Sequence, residues 1–292
     1  MTTAMTAAMR TGSAAAAWLG IDIGATHMRA VLVDPARRET RAVRMPTPPP
    51  GGLAQALAAL VARAAPHAAT FGAVGLSRAA AVDGDGKVTD WPSRPDYLGA
   101  DLLAPLATAL AGSGRAGAPA AIRHLDDGMA AAFGEAARAG AEGDDLCALS
   151  LGTGVGVGLV SGGRLVQTGD GAGTLGHLPL GLAGMRCRCG RTGCLQATLV
   201  DRDIPDAVFT AALVRARDWL AMHYGTRIIL IAGGAASARP NAIAALEGIR
   251  LSSMPDHAAA LGAALHARHP DDLPAARRSA ALLCRTIAAV SA

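Results

Sequence analysis

The stretch that decides the fold is residues 18–33, WLGIDIGATHMRAVLV. An apolar run leads into Asp-Ile-Gly-Ala-Thr-His, after which Met28, Ala30 and Leu32 alternate with other residues. This pattern predicts two strands joined by a tight turn. Small residues in such a turn let backbone N–H groups approach phosphate oxygens, and the aspartate can hold Mg²⁺ through water. The alternative interpretation is an ordinary glycine hairpin turn.

A second glycine-rich stretch, LGTGVGVG, covers residues 151–158. A strand with glycine at alternate positions is poorly stabilised by its own packing. We therefore expect a phosphate chain or a nucleotide to approach its backbone. A bulged hairpin without a ligand is the alternative, and two such turns in one chain make it less attractive. The recurrence of the turn also suggests two similar halves that face each other.

The rest of the chain alternates strand-like and helix-like segments, which predicts the α/β class. A length of 292 residues is enough for two lobes that share a cleft. We expect a disordered tail over residues 1–17 and a first lobe over residues 18–120. The second lobe is expected over residues 121–272, with a zinc loop at 177–194. A C-terminal helix, about residues 273–292, is expected to pack back on the first lobe.

The composition excludes several function classes. The net charge of +4 and the pI of about 9.1 come from scattered arginines, with Lys87 as the only lysine. Because no basic run carries interleaved aromatic residues, we expect no nucleic-acid partner. The sequence shows neither a signal peptide nor a membrane span. Three of the five cysteines form one cluster, which favours metal binding in a reducing cytoplasm.

The cysteine cluster is the most specific signal. His177 is followed by Cys187, Cys189 and Cys194. Three thiolates and one imidazole match a closed tetrahedral Zn²⁺ site, which predicts a structural zinc ion. Unpaired core cysteines are the alternative. Catalytic zinc is disfavoured because four good ligands leave no vacant position.

A pair of carboxylates, Asp126 and Asp127, precedes the predicted helix that begins at Met129. Carboxylates at a helix N-terminus can be a simple cap. The functional interpretation is a general base that takes a proton from a substrate hydroxyl as its oxygen attacks a γ-phosphoryl group.

Taken together and in this order, the motifs DIGATH, DDGMA, LGTGVGVG, AGTLGH and CRCGRTGCLQ resemble those of the ROK family of sugar kinases and repressors, over about residues 19–266. The allose kinase and glucokinase branch is the most similar. The resemblance implies a bilobal actin-like, hexokinase-like (RNase H-like) ATPase fold with an interlobe cleft. It also implies an ATP-dependent carbohydrate kinase with Mg²⁺ and structural Zn²⁺, assembled as a homodimer.

Carried over by residue, the resemblance makes Asp127 the base and Asp22 the group that positions Mg²⁺. The other nucleotide-binding positions would be Gly24, Ala25, Thr26, Gly152, Thr153, Gly154, Gly233 and Gly234. The zinc ligands would be His177, Cys187, Cys189 and Cys194. The acceptor pocket would include Ser93, Arg94, Asp126, Thr174, His177 and Gln196.

The departures from the family pattern lie on the acceptor side. Asp126 replaces an asparagine, and Thr174 and Gln196 each replace a glutamate. With Arg94 or Arg78 nearby, these changes argue against an ordinary glucose site and suggest an acidic or otherwise modified sugar. The segment after Gln196 is also shorter than the family usually has around the adenosine.

Two other functions are considered. A degenerate family member would bind a small molecule or act as a scaffold without ATP turnover. A transcriptional repressor is disfavoured because the region before Trp18 is too short for a helix-turn-helix domain.

Overall fold

The computed structural model describes residues 16–67, 70–113, 121–152, 154–166, 173–283 and 288–290. The strands, in chain order, are β1 (Ala17–Ile23), β2 (His27–Asp34), β3 (Glu39–Pro46), β4 (Phe71–Arg78), β5 (Ala81–Val82), β6 (Val88–Asp90), β7 (Ile122–Asp126), β8 (Leu146–Leu151), β9 (Val155–Ser161), β10 (Arg164–Leu165), β11 (Ile228–Ala232), β12 (Ile249–Leu251) and β13 (Ala288–Val290).

The helices, again in chain order, are α1 (Leu53–Ala64), α2 (Leu103–Gly112), α3 (Asp127–Arg138), α4 (Gly173–Gly176), α5 (Leu195–Leu199), α6 (Asp206–Tyr224), α7 (Gly234–Ser237), α8 (Pro240–Ala244), α9 (Ala258–Arg268) and α10 (Leu273–Leu283). None of the helices in these ranges is long and apolar enough to cross a membrane.

The strands form two main sheets with the same connectivity. The first has the order β13-β3-β2-β1-β4-β7, and the second has the order β10-β9-β8-β11-β12. In each sheet, three consecutive strands pair antiparallel, β1-β2-β3 in the first and β8-β9-β10 in the second. Two later strands pair parallel on the other side of the first of these, β4 and β7 beside β1, and β11 and β12 beside β8. The expected α/β class and the two similar halves are therefore confirmed. Strand β13 adds a parallel edge strand to the first sheet.

The alternation along β1 explains how the first sheet is covered on both faces. Leu19, Ile21 and Ile23 are buried in the same cluster as the apolar residues of α1 and α2. Trp18, which points to the opposite face, belongs to the larger cluster that continues through α9 and α3 into the second sheet. The two halves thus share one core on their facing sides.

Glycines allow α9 to lie directly on the first sheet. A Cβ atom at Gly20 would collide with the carbonyl oxygen of Ala260, and one at Gly75 would collide with that of Ala263. Helix α9 also packs along α3, where a Cβ at Gly262 would meet the carbonyl oxygen of Ala130. Close backbone packing thus replaces the large aromatic side chains that this chain largely lacks.

The structure differs from the expected lobe division in three places. Strand β7 was expected in the second lobe, but it pairs with β4 in the first sheet. Helix α9 was also placed there, but it packs on the first sheet through small residues. The predicted helix over residues 273–292 ends at Leu283 and packs on α3 and α9, and the described chain then adds β13 beside β3. Of the predicted tail, residues 1–15 lie outside the described residues, and Ala17 already belongs to β1.

Candidate active site

Two carboxylates lie at the carboxyl ends of two parallel strands of the first sheet, β1 and β7, which are separated by β4. Asp22 lies at the end of β1, and Asp127 begins α3 directly after β7. Asp126 caps α3 by accepting a hydrogen bond from the Gly128 N–H at 3.0 Å. The same N–H lies 2.8 Å from Oδ1 of Asp127. The strand order β1-β4-β7 brings the carboxylates to one edge of the sheet.

Asp127 has the electrostatic character of a base. Burial raises its pKa well above the ordinary aspartate value, and the negative charges of Asp126 and Asp22 raise it further. The pKa of Asp126 is also raised by burial, although its hydrogen bonds and the nearby Arg78 oppose the shift. A carboxylate with a raised pKa accepts a proton more readily, which is what general-base catalysis of a hydroxyl attack needs.

Asp22 is buried and held by two neighbours. The Ser77 hydroxyl donates to its Oδ1 at 2.8 Å, and Nη1 of Arg29 lies 3.4 Å from its Oδ2. Burial raises the pKa of Asp22, while Arg29 and Ser77 act in the opposite direction. No local sequence motif indicates Ser77 or Arg29 as a partner of Asp22. The predicted hairpin could have indicated Arg29, because a turn over residues 24–26 pairs Arg29 directly with Asp22 in the register of β1 and β2.

The first glycine turn (residues 24–26) joins β1 to β2. The Gly24 N–H donates to the carbonyl oxygen of His27 at 3.1 Å. The hydroxyl of Thr47 donates to the Gly24 carbonyl oxygen at 2.6 Å. The Thr47 N–H donates to the Thr26 carbonyl oxygen at 3.0 Å. The side chain of Thr26 is exposed. The turn is therefore held from the β3 side while its outer surface stays accessible.

The second glycine turn (residues 152–154) joins β8 to β9, and Thr153 lies outside the described residues. The Gly152 N–H donates to the Gly154 carbonyl oxygen at 3.0 Å. In the adjoining strand, a Cβ at Gly156 would lie 2.9 Å from Oδ1 of Asp127. Glycine at this position gives Asp127 its room, so the two halves meet at the candidate base.

Gly233 and Gly234 follow β11. Gly233 has φ of 99°, in the left-handed region, and a Cβ there would collide with the carbonyl oxygen of Leu151 at the end of β8. The adjacent cavity has a volume of about 570 Å³. Its lining consists of Arg202, Ile204, Pro205, Asp206, Gly234, Ala235, Ala238 and Arg239. Of the two predicted nucleotide-binding glycines after β11, Gly234 thus borders the cavity.

The four predicted zinc ligands converge. Their ligand atoms all lie within 4.8 Å of one another. Nδ1 of His177 is 3.5 Å from Sγ of Cys187, and the Sγ atoms of Cys189 and Cys194 are 3.7 Å apart. Typical zinc bond lengths in a tetrahedral site give about 3.5 Å between a nitrogen and a sulfur ligand and about 3.8 Å between two sulfurs. The residues therefore fit a zinc ion.

The thiol environment is consistent with metal binding. Hydrogen bonds from Arg191 lower the pKa of Cys189 to about 6, whereas burial and the neighbouring thiols raise the pKa of Cys194 to about 12. The Cys187 N–H donates to the Arg191 carbonyl oxygen at 2.8 Å, and the Gly190 N–H donates to that of Cys187 at 3.0 Å. These bonds close a tight turn around the cluster. A turn of this kind brings two thiolates to the same side of the loop.

Two residues predicted to contact the acceptor are used inside the protein. The guanidinium of Arg94 donates to the carbonyl oxygens of Ala25 at 2.9 Å and Pro48 at 2.7 Å, and it also binds Asp96. The carboxamide oxygen of Gln196 accepts a hydrogen bond from the Val155 N–H at 3.1 Å. Both side chains support a glycine turn, so Arg94 offers little basis for selecting an acidic sugar.

The remaining residues predicted at or near the acceptor have different surroundings. Asp126 lies beside Asp127 at the start of α3, and His177 lies in the cysteine cluster. Ser93 is half-buried in the turn that precedes Arg94. The side chain of Thr174 lies outside the described residues. Arg78 donates from Nε to His124 at 3.3 Å and from Nη1 to the Ala80 carbonyl oxygen at 2.6 Å.

The duplicated sheets, with glycine turns at equivalent strand ends, define a two-lobed protein of the actin-like, hexokinase-like class. The family model described as "ROK family" matches residues 18–215. The chain belongs to the ROK family.

Named relatives and solved structures agree with this assignment. The chain is 37% identical over 147 residues to a kanosamine kinase of Amycolatopsis mediterranei, covering 50% of this chain and 45% of the relative. It is 38% identical over 200 residues to an N-acetylmannosamine kinase of Escherichia fergusonii, covering 65% of this chain and 63% of the relative. The chain thus spans about half to two thirds of these relatives.

The structural similarity covers more of the chain. A ROK hexokinase from Thermus thermophilus has a TM-score of 0.63 at 25% identity, covering 86% of this chain and 98% of that one. An inorganic polyphosphate/ATP-glucomannokinase from Arthrobacter sp. strain KM also has a TM-score of 0.63, at 26% identity, covering 87% and 98%. The expected fold class is therefore confirmed.

Proposed function

We propose that the protein is an ATP-dependent kinase that transfers the γ-phosphoryl group to a hydroxyl of a sugar or sugar-like molecule. The single observation that carries the proposal is the position of Asp127. This carboxyl group has a raised pKa, lies within electrostatic reach of Asp22, and touches the glycine strand that follows the second glycine turn. A proton acceptor beside two phosphate-sized turns is the arrangement that phosphoryl transfer to a hydroxyl requires.

In the proposed mechanism, Asp127 accepts the proton of the acceptor hydroxyl as its oxygen attacks the γ-phosphorus. The backbone N–H groups of the two glycine turns hold the phosphate oxygens from opposite sides. Asp22 would hold Mg²⁺ through water, and the ion would neutralise charge on the phosphates. Asp22 fits this role because hydrogen bonding from Ser77 fixes its carboxylate at the edge of the first turn.

We propose a structural role for zinc. Cys194 immediately precedes α5, which carries Gln196, and Gln196 binds the Val155 N–H beside the second glycine turn. The Leu195 N–H also donates to the Leu178 carbonyl oxygen at 2.9 Å. A zinc ion held by the four ligands would fix this helix, and through it the second turn.

For the acceptor we propose a hexose or an amino-hexose derivative. The similar proteins named for kanosamine and N-acetylmannosamine support an amino sugar. The engagement of Arg94 with protein carbonyls removes the main reason to expect an acidic sugar. The enzyme is also proposed to be a cytoplasmic homodimer, which rests on the resemblance to the family and on the free cysteine cluster. Light scattering during gel filtration tests the dimer.

The second candidate is a degenerate ROK-type ligand-binding protein without turnover. The replacement of two family glutamates by Thr174 and Gln196 favours it. Against it, the aspartates, the described parts of both glycine turns and the four zinc-ligand positions lie together in one arrangement.

A coupled ADP-release assay with Mg·ATP separates the two. The acceptor panel contains hexoses, amino sugars, N-acetylated amino sugars and sugar acids. The kinase proposal expects turnover on one acceptor class. A folded, zinc-containing protein that binds a sugar but releases no ADP would support the degenerate alternative.

A further inference from the structure

Arg78 places a positive charge between the strand ends that carry Asp22 and Asp127. It is the last residue of β4, the strand that separates β1 from β7. In the sheet register it pairs with Ile23 on β1 and with Asp126 on β7. Because neighbouring strands lie about 4.8 Å apart, the ends of β1 and β7 are about 10 Å apart. The backbone of Arg78 therefore lies midway between the two strand ends of the candidate site.

The guanidinium of Arg78 is fixed through two of its three nitrogens. Nε donates to Nδ1 of His124 at 3.3 Å, and Nη1 donates to the Ala80 carbonyl oxygen at 2.6 Å. Burial and the charge of Arg78 lower the pKa of His124, which keeps this imidazole neutral. A neutral imidazole that accepts at Nδ1 carries its hydrogen on Nε2. The position of the guanidinium is thus set by the protein before any ligand binds.

The third nitrogen of Arg78, Nη2, remains available to a ligand. Within the described residues it has neither a hydrogen bond nor an ion pair. Arg94 and Arg239 differ, because all three nitrogens of each guanidinium bind protein acceptors. Nη2 of Arg78 also differs from Nε of Arg29, which is buried without a partner in the described part of the chain. Arg78 therefore keeps two N–H donors for a ligand.

The charge of Arg78 acts on the neighbouring aspartates without forming a direct pair. Burial lowers the pKa of Arg78, while Asp126 and Asp127 act in the opposite direction. Arginine and carboxylate side chains that lie close together usually form short, paired hydrogen bonds. Here no carboxylate of the described residues lies within ion-pair distance, because His124 and Ala80 hold the guanidinium. An anionic group between the ends of β1 and β7 would meet an unpaired cation.

Phosphoryl transfer brings an anionic group to this position. In the proposed mechanism Asp127 holds the attacking hydroxyl, and Asp22 holds Mg²⁺ on the phosphates. The attacking and leaving oxygens lie roughly in line with the phosphorus, which places the phosphorus between the ends of β7 and β1. In the transition state, negative charge is spread over three equatorial oxygens of the transferred group. Since Arg78 lies on the strand between these ends, its Nη2 is well placed to donate to one of them.

We propose that Arg78 is a catalytic residue whose Nη2 donates to an equatorial oxygen of the γ-phosphoryl group as that group passes from ATP to the acceptor. This inference rests on the proposed kinase function. In the step, the acceptor oxygen forms a bond to the γ-phosphorus. The bond from that phosphorus to the bridging oxygen breaks, and ADP leaves with the electron pair. The hydroxyl proton goes to Asp127, and Arg78 keeps its protons throughout.

The first test compares the kinetics of wild type, Arg78→Gln and Arg123→Gln, a control at an exposed arginine of β7. With an acceptor that supports turnover, kcat of Arg78→Gln should fall about 10³-fold or more, as when a catalytic arginine is removed from other phosphoryl-transfer enzymes. The KM values for ATP and for the acceptor should stay within about threefold, because the contact is made mainly in the transition state. Arg123→Gln should keep its kcat within about twofold of wild type.

Three outcomes of this comparison decide between the proposals. An Arg78→Gln variant that turns over as fast as Arg123→Gln refutes the inference and leaves the kinase proposal intact. A loss confined to the KM of the acceptor also overturns the inference, because Arg78 would then bind the acceptor and not the transferred group. A folded wild type that is silent with every acceptor refutes the kinase proposal itself.

The second test uses chemical rescue to separate a missing cation from a disturbed structure. Guanidinium chloride, kept below its denaturing range, is added to Arg78→Ala and to Arg123→Ala. We expect kcat of Arg78→Ala to rise about tenfold or more and to saturate, because the free cation restores a charge-assisted hydrogen bond. Arg123→Ala and wild type should show no such rise. An Arg78→Ala variant that melts like wild type but is not rescued would mean that Arg78 acts through the structure, and it would overturn the inference.

Discussion

The two glycine turns occupy equivalent places in the two sheets, yet their surroundings differ. Both follow the first strand of a sheet that has the same connectivity. The first turn is held by polar side chains, including Thr47 and Arg94, and is flanked by cations. The second is held by Gln196 and is followed by glycines that make room for Asp127. In the proposed mechanism, one duplicated scaffold thus places the Mg²⁺-binding aspartate beside the first turn and the base beside the strand that follows the second.

The largest effect is expected at the proposed zinc site, which immediately precedes the helix that carries Gln196. Cys189→Ser should lower the zinc content to near zero and reduce the melting temperature by about 10 °C, because several kcal/mol of metal-binding free energy stabilise the folded state. Metal analysis and thermal melting provide the measurements. Cys147→Ala is the control, since Cys147 is a buried cysteine in β8 outside the cluster. A variant that retains full stability without zinc would contradict the structural role.

The next effect concerns the glycines beside Asp127. Gly156→Ala should reduce kcat about 100-fold, because the new methyl group displaces the carboxylate that positions the reaction. Gly84→Ala is the control, since a Cβ at Gly84 meets no heavy atom within 4 Å and Gly84 lies outside both glycine turns. Kinetics of both variants at saturating ATP give the comparison. A Gly156→Ala variant as active as Gly84→Ala would show that the room beside Asp127 is not needed for catalysis.

An intermediate effect on stability and on ATP binding is expected at Arg94, which holds the first glycine turn. Arg94→Ala removes hydrogen bonds to Ala25 and Pro48 and a contact over the ring of Tyr97 at 4.5 Å. We expect a loss of about 2–3 kcal/mol in the free energy of unfolding and a higher KM for ATP. Arg94→Lys should recover little, because an ammonium group cannot serve several carbonyls at fixed angles. A change in acceptor affinity alone would favour the original substrate role of Arg94.

The smallest effect is a shift in pH dependence. Asp127 must be ionised to act as a base, and its pKa is raised, so kcat should fall as the pH drops through that raised pKa. Asp126→Asn removes a negative charge that raises this pKa, while asparagine still caps α3. The acidic limb of the kcat profile should therefore move to lower pH. A limb that does not move would mean that Asp126 does not influence the base.

The raised pKa also has a consequence for stability. The folded protein binds the Asp127 proton more tightly than the unfolded chain does. The stabilising contribution of this group is therefore present below the ordinary aspartate pKa and is lost as the pH rises through the raised pKa. At neutral pH, Asp127→Asn should melt at or above the wild-type temperature, and thermal melting tests this. A large drop would indicate that Asp127 has a structural role.

Local sequence patterns predicted the elements that carry the site. The glycine turns and the cysteine spacing have short-range signals, and the described residues contain both turns, except Thr153, and the converging cysteines. The position of α9 had no such signal. Its sequence is small and apolar on every side, so periodicity does not indicate which sheet it covers.

Polar contacts between residues far apart in the chain could not be predicted from the sequence either. Arg29 binds Asp256, 227 positions away, and Arg94 binds Ala25, 69 positions away. An arginine near a pocket suggests a ligand, but only the folded structure shows which carbonyl groups its donors already satisfy. For this reason the acceptor residues were the least reliable part of the prediction.

The most direct test of the proposed base measures ADP release by wild type, Asp127→Asn and Asp126→Asn with Mg·ATP and an acceptor from the panel. We expect Asp127→Asn to lose about 10²- to 10⁴-fold in kcat while it still binds ATP and stays folded. Asp126→Asn should lose much less, because its side chain caps a helix. Unchanged turnover in Asp127→Asn would contradict the assignment of the base and, with it, the proposed mechanism.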